Sequence, residues 1–371
     1  MSGLDRRDFL KKAAVASAVG SAAVMFGCST DNKQGGETSG YSGKTFQWRM
    51  VTAWPPHFPI LGEGAEQLAK DIEIMSGGRL KIQVYGGGEL VPPLETFDAV
   101  SQGTAEMGHS SAYYWAGKIP ATPFFSSLPF GMNTQQTNTW FYANEGLKLW
   151  EETYKPFNLI PMPCGNSGAQ MGGWFNKEIN SIADLKGLKM RQPGLGGKVI
   201  TKAGASAILT AGSEIYTNLE RGVIDAADWI GPYHDYLMGF PKIAKYYYYP
   251  TWTEPTGVIE LIINKNAFES LPPDLQDIVR QAAYSSNIKM LSAFEAKNQE
   301  YYIKLKEEGK VQFRKFPDDV IATFKKYTKE VLAELTASDP MSKKVFDSYS
   351  KFQAKIYNWS ELAEVRYPGL S

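Results

Sequence analysis

The chain has 371 residues, with 39 basic and 39 acidic side chains and a formal net charge of zero, which leaves no electrostatic footprint for nucleic acid. That length has room for two ordinary domains. The two cysteines, Cys28 and Cys164, exclude a disulfide scaffold, so the fold must stand on its hydrophobic core.

Residues 1–28 read as an export signal. Paired Arg6-Arg7 followed by Phe9-Leu10-Lys11 match a twin-arginine leader, and an Ala-, Val- and Gly-rich run follows to Gly27. That run is shorter than the ~20 apolar residues a membrane-spanning helix needs. Gly27-Cys28 resembles the end of a lipoprotein signal; two outcomes stay open, lipidation at Cys28 or plain cleavage near Ala22-Ala23. Residues 29–43, small and polar, suit a flexible tether. Without the leader, 35 basic face 37 acidic residues, and no later segment reads as membrane-spanning. The expectation is a soluble extracytoplasmic protein.

Phe46, Trp48 and Met50 alternate with polar neighbours, a strand pattern, and residues 61–75 follow helical spacing up to Gly77-Gly78. Leu80, Ile82 and Val84 alternate again; a helix over 94–102 and a strand with its loop over 106–114 follow. Strand–helix–strand units in tandem predict a parallel sheet wrapped by helices, with ligands at the strands' carboxyl ends. After a less regular middle, strands are expected at 159–163, 172–176 and 188–191, then helices at 196–203 and 214–221. Further strands are expected at 223–229 and 258–264. Tyr246 to Tyr249 reads as a simple aromatic run.

The chain is therefore expected to cross between two α/β lobes more than once, a design whose cleft closes by hinge motion. The division is 44–165 mainly lobe I, 166–265 mainly lobe II with crossovers, and 266–371 helical. That last part opens with a near-continuous helix over 273–309; a short strand at 311–316 and two helices follow. Either the tail braces both lobes, or it mediates a homodimer through the stripe Phe346, Tyr349, Phe352, Ile356 and Trp359 at helical spacing.

The densest chemistry lies between Met190 and Trp229. Met190-Arg191-Gln192-Pro193-Gly194-Leu195-Gly196-Gly197 puts an Arg at a strand end, just before a helix start whose free N–H groups favour an anion. Arg suits a two-pronged grip on a carboxylate. The glycines are half a dinucleotide fingerprint, but Val199 stands where a third is needed, which excludes a Rossmann cofactor. Asp228 and Glu254 sit in apolar, aromatic company where acids are expensive. Such a set points to a small anion bound together with a metal ion. His57, His109 and His234 have no mutual metal spacing, and Cys164, between Pro163 and Gly165, reads as a structural thiol.

Several segments, in order, carry a family resemblance: Gly86-Gly87-Gly88-Glu89-Leu90-Val91-Pro92-Pro93, Ala105-Glu106-Met107-Gly108-His109, Gly168-Ala169-Gln170-Met171-Gly172-Gly173-Trp174-Phe175, the Arg191 segment, Asp228-Trp229-Ile230-Gly231-Pro232-Tyr233 and Glu254-Pro255. Over about residues 45–282 the chain resembles the solute-binding proteins of tripartite ATP-independent periplasmic (TRAP) transporters, in the branch for 2-oxo acids and related monocarboxylates. The resemblance implies an α/β, two-lobed periplasmic-binding-protein-like fold with crossing strands, a long spanning helix and a helical C-terminal extension. It implies a receptor delivering a small organic acid anion to a sodium-driven TRAP permease.

By position the resemblance makes Arg191 the carboxylate clamp. It assigns a cation, Na⁺ or Ca²⁺, to Gln170, Asp228, the Trp229 backbone carbonyl and Glu254, all oxygen ligands suited to a hard ion. Trp54, Tyr113 and Tyr114 are expected to form an aromatic wall with a hydroxyl donor, either tyrosine pointing inward. Asp228 departs from the family's Glu; the shorter acid either reaches the ion through water or leaves it to Glu254. Two other readings use the same pocket: an exported metal-assisted hydrolase or lyase with Asp228 and Glu254 as acid and base, and a sensor domain.

Overall fold

The computed structural model describes residues 43–363; the leader with Cys28, nearly all of the expected tether and the last eight residues lie outside the described residues. Two sheets organise the chain. The first contains β1 (Phe46–Thr52), β2 (Leu80–Tyr85), β3 (Met107–Ser110), β4 (Leu159–Asn166) and β10 (Val258–Asn264), in the order β2-β1-β3-β10-β4. The second contains β5 (Gly173–Phe175), β6 (Lys189–Arg191), β7 (Ser206–Ile208), β8 (Ala226–Ala227), β9 (Tyr246–Tyr249) and β11 (Gln312–Lys315), in the order β11-β9-β5-β8-β6-β7. Lobe I is built on the first, lobe II on the second.

Neither sheet is purely parallel, which corrects the sequence expectation. In lobe I, β10 runs antiparallel to both β3 and β4; in lobe II, β5 runs antiparallel to β8 and β9. Both strands arrive from the other lobe, so each enters its sheet from the cleft side and runs against its neighbours. The crossing segments 167–172 and 250–257 lie side by side, with Ser167 N–H donating to Gly257 O at 2.9 Å and Gln170 N–H to Glu254 O at 3.1 Å. This paired crossover ties the lobes together and carries two of the expected ion ligands.

The helices are α1 (Leu61–Met75), α2 (Thr96–Ser101), α3 (Thr134–Ala143), α4 (Gly146–Tyr154), α5 (Gly194–Lys202), α6 (Ile215–Glu220), α7 (Pro232–Leu237), α8 (Lys265–Glu269), α9 (Pro273–Glu308), α10 (Asp318–Ser338) and α11 (Pro340–Ala363). At 1.5 Å per residue α9 is about 54 Å long, enough to pack on α1 and β4 of lobe I and on α7 of lobe II. It ends at Gly309, in the left-handed conformation with φ 65°. Next, α10 seats on α5 and α11 on α3 and α4, so the tail braces both lobes. Among the described residues no helix is long and apolar enough to cross a membrane.

Three local expectations change. The aromatic run Tyr246 to Tyr249 is β9, paired with β5 and β11; a strand covered on both faces shows no alternation. The strand expected over 223–229 shrinks to β8, because the N–H groups of Val223 and Ile224 close the end of α6 on Asn218 O. The irregular middle holds α3 and α4. Their aromatic faces build the lobe I core, where Phe125 stacks between Trp140 and Trp150 at 6.1 and 5.2 Å.

Candidate functional site

Arg191 is the last residue of β6, in register with Ile208 of β7 and Ala227 of β8. Its side chain is fully buried at 0% exposure. Nη1 donates to the backbone carbonyl of Asp228 at 2.6 Å, and Nη2 lies 3.5 Å from Tyr114 Oη. The guanidinium sits 5.1 Å from the centre of the Trp229 ring, a cation–π distance. Nε has no partner. A buried guanidinium without a facing carboxylate is costly, and here two sides of it are held while the rest is left for an anion.

The Asp228 carboxylate does not grip Arg191. Its Oδ2 accepts from Gln192 Nε2 at 2.7 Å and from Thr253 Oγ1 at 3.4 Å. Burial raises Asp228 to about 6, opposed by the Arg191 charge and those donors. Glu254 is also buried, with Oε2 unpartnered, and burial followed by repulsion from Asp228 pushes it well above the ordinary carboxylate range. Gln170 adds another buried oxygen without a donor, its Oε1; its Nε2 donates to Ser167 Oγ at 3.0 Å. Unsatisfied buried oxygens on an amide and an acid, beside a second acid, match the needs of a hard cation. Among the described residues no three of His, Cys, Asp and Glu are grouped for a metal, so an ion here would rely on amide and carbonyl oxygen too.

Lobe I supplies the opposing wall. Tyr113 and Tyr114 lie on the 3₁₀ turn Ala112–Trp115, their rings edge to face at 4.9 Å, and Trp54 lies 6.3 Å from Tyr114. The Trp54 Nε1–H is already donated to His109 Nδ1 at 2.8 Å, so Trp54 offers a face and edge rather than a donor. Burial holds His109 at about 3, hence neutral. Both tyrosines turn inward. Tyr114 reaches Arg191, and the Tyr113 hydroxyl, raised first by burial, also feels the charges of Glu254, Arg191 and Asp228. Gly194, at φ 61°, opens α5 against the Tyr113 side chain, where an added Cβ would stand 3.2 Å from Tyr113 Cβ.

Trp54, Tyr113, Gln170, Arg191, Asp228, Trp229 and Glu254 are therefore buried in one region, with half-buried Tyr114 between them and the open cleft. Outside the aromatic wall a cleft of ≈ 490 Å³ runs between Tyr113, Tyr114, Gln192 to Gly194 and α10; none of Gln170, Arg191, Asp228 or Glu254 lines it. The inner site is the better ligand candidate, because buried polar atoms without partners on Gln170, Arg191 and Glu254 lie there. Sequence reasoning missed Gln192 and Thr253, which hold Asp228. Their adjacency to Arg191 and Glu254 is the signal that could have found them. Cys164 is a buried thiol pushed up to about 12, an inert core residue. His234 Nε2 and Pro59 O lie 2.6 Å apart, a hydrogen bond between α7 and the segment before α1.

The model of the DctP family, described as bacterial extracellular solute-binding protein, family 7, matches residues 50–339. A protein of Nostoc sp. (strain PCC 7120) named a monocarboxylate 2-oxoacid-binding periplasmic protein is 40% identical over 364 residues, covering 98% of each chain. A TRAP periplasmic solute-binding protein from Pseudoalteromonas atlantica T6c, solved with bound sodium and pyruvate, is 41% identical with a TM-score of 0.85, over 86% of this chain and 98% of that one. Another, from Bordetella bronchiseptica RB50, was solved as a mixed-occupancy dimer with copurified calcium and picolinate; it is 38% identical with a TM-score of 0.85, over 87% and 96%. The chain thus belongs to the DctP family of bacterial extracellular solute-binding proteins and is a TRAP transporter solute receptor.

Proposed function

We propose that this receptor captures a small 2-oxo or 2-hydroxy monocarboxylate, pyruvate-like, together with Na⁺ or Ca²⁺, and delivers it to a TRAP permease. One observation carries the reading: a buried nest with a half-satisfied guanidinium on one side and unsatisfied acid and amide oxygens on the other. Such a nest suits one anion beside one cation. Arg191 takes the carboxylate, Tyr114 donates beside it, and Trp54 and Tyr113 limit the space for the ligand's tail. Gln170, Asp228, the Trp229 carbonyl and Glu254 hold the ion. The ion's contribution is charge: it neutralises the buried acids and draws the ligand's carboxylate and neighbouring oxygen together. Lobe opening admits the ligand, and closure presents one joint surface to the permease.

Titration with pyruvate, 2-oxobutyrate, lactate and succinate, with and without Na⁺ and Ca²⁺, tests this through the melting temperature. Pyruvate is expected to raise it and succinate to fail, since among the described residues no second cationic side chain faces Arg191. Indifference to every acid under every ion condition removes the proposal. The protein acts as a receptor and not as a hydrolase or lyase, so ligand recovered after long incubation is expected chemically unchanged. The same pocket serving a sensor would lack permease genes in the neighbouring operon.

Two further parts of the reading concern the ends of the chain. Export follows the twin-arginine route, with a lipid anchor at Cys28; mass spectrometry of the exported protein from the parent and Cys28→Ser distinguishes an acylated from a cleaved N-terminus. The protein pairs with a second copy through α11. Tyr349 and Phe346 pack on Trp140 and Phe124 of their own chain, which leaves Trp359 at 61% and Leu362 at 75% exposure to meet a partner. Sedimentation should give a dimer for the parent and a monomer for Trp359→Ser; an unchanged dimer places the interface elsewhere.

A further inference from the structure

Behind the aromatic wall lies a buried acid with no part in the ligand site. β10 reads Val-Ile-Glu-Leu-Ile-Ile-Asn, and all seven residues are buried. A Glu in such a strand carries a desolvation penalty that a leucine would avoid. Glu260 is 0% exposed and each carboxylate oxygen is taken up by donors. Oε1 accepts from Ser110 Oγ at 2.8 Å and from Trp115 Nε1 at 2.6 Å; Oε2 accepts from Tyr154 Oη at 2.8 Å.

The three donors come from three elements: the end of β3, the wall turn and α4. Trp115 directly follows Tyr113 and Tyr114 on that turn. The turn is a single 3₁₀ stretch with no side-chain cap at Ser111; burial of Ala112 and Trp115 and the Trp115 bond to Glu260 hold it to the sheet. From this we infer that Glu260 is a positioning residue for ligand binding. Its carboxylate ties the tyrosine-bearing turn to β10, and through Tyr154 to α4, fixing the wall that meets Arg191 across the site. The inference rests on the reading that Tyr113 and Tyr114 face the ligand.

The anchor has a protonation state to lose. An ionised carboxylate accepts all three bonds; a protonated one donates its own hydrogen, so a hydroxyl, Tyr154 or Ser110, must turn from donor to acceptor and its own hydrogen loses its buried partner, while the Trp115 bond loses its charge assistance. Burial raises Glu260 to about 7 while its three donors pull it back. The titratable group facing it is Tyr154, itself pushed well up by burial and so protonated; Ser110 and Trp115 carry no charge. The wall is held most firmly above neutrality.

The test is pyruvate affinity, measured with saturating Ca²⁺ from pH 5.5 to 8.5, in the parent, Glu260→Gln and Tyr154→Phe. Glutamine resembles the protonated acid, accepting on one side and donating on the other. Expected is parent binding roughly threefold or more tighter than Glu260→Gln at pH 8.5, with the two converging at pH 5.5. The ratio cancels the titration of Asp228 and Glu254, common to both proteins. In Tyr154→Phe a donor favouring the ionised form is gone, so the midpoint of the affinity loss moves to higher pH. A merely structural role would give a constant ratio. A parent-to-variant ratio that is flat with pH, or a midpoint unmoved in Tyr154→Phe, overturns the inference while parent binding leaves the receptor reading intact. A parent that fails to bind pyruvate at any pH overturns both.

Discussion

The two lobes face the ligand space with different chemistry and similar support. Lobe II offers charge at strand ends: Arg191 as the last residue of β6 and Asp228 directly after β8. Lobe I offers rings on a short turn. Yet behind each wall stands a buried acid that collects one tryptophan and one tyrosine. In lobe I it is Glu260 with Trp115 and Tyr154. In lobe II it is Asp235, whose Oδ2 accepts from Trp174 Nε1 at 2.8 Å and Tyr247 Oη at 2.7 Å, while Oδ1 accepts from Ile230 N–H at 3.2 Å. Ile230 directly follows Trp229, so this acid steadies the segment beneath the guanidinium. The comparison separates recognition from support: the lobes divide the first unequally and share the second.

If recognition is concentrated in lobe II, Arg191→Ala must give the largest loss. Removing charge-assisted hydrogen bonds, each worth about 1.5–3 kcal/mol, should weaken pyruvate binding at least about tenfold by calorimetry. Unchanged affinity would take Arg191 out of the site. Next comes the ion. Glu254→Gln removes a full charge from the oxygen set, so the rise in melting temperature on adding Ca²⁺ should largely vanish, whereas the parent retains it. An equal rise in both proteins would move the ion away from Glu254.

Much of this contrast could be read before the fold was known. Arg191 and its glycines stood out because strand alternation ends there and a helix begins, and the structure keeps that junction. The crossovers were less legible. Nothing local marks Gln170 or Glu254 as neighbours; the backbone bond between them joins residues 84 positions apart, so only resemblance brought them together. Tyr246 to Tyr249 hid as a strand because burial on both faces erases alternation. The signal for α3 was present in Asn133, which accepts from Gln136 N–H at 2.9 Å while Gln136 Oε1 accepts from Asn133 N–H at 3.0 Å. This capping box is spelled by spacing alone. Glu260 was equally visible, a lone acid in an apolar strand, but its meaning depends on Ser110 and Tyr154, both more than one hundred residues away.

The lobe I wall should show a smaller effect than Arg191. Tyr114→Phe deletes one hydroxyl at a long 3.5 Å from the guanidinium. A loss of about threefold in pyruvate affinity is expected, in line with ~0.5–1.5 kcal/mol for one neutral donor. A loss matching that of Arg191→Ala would mean that the lobes share recognition equally.

The smallest effect concerns support in lobe II and appears in stability rather than affinity. Burial raises Asp235 to about 7, while Tyr247, Trp174 and Ile230 N–H oppose the shift. The folded value lies above that of the unfolded chain, near 4, so the folded state holds the extra proton between the two. The stability this acid contributes is fully present below pH ~4 and is lost as pH rises through ~7. Asn at this position cannot titrate. The melting-temperature deficit of Asp235→Asn relative to the parent should therefore narrow from pH 5.5 to pH 8.5. The difference between the two proteins cancels titrating groups not coupled to Asp235, such as His234, which burial holds at about 4 on the same helix, while the Asp228 charge, which also raises Asp235, acts in the same direction. A deficit that stays flat with pH would mean that Asp235 is ionised throughout, held by its three donors. The two lobes would then differ in support as they do in recognition.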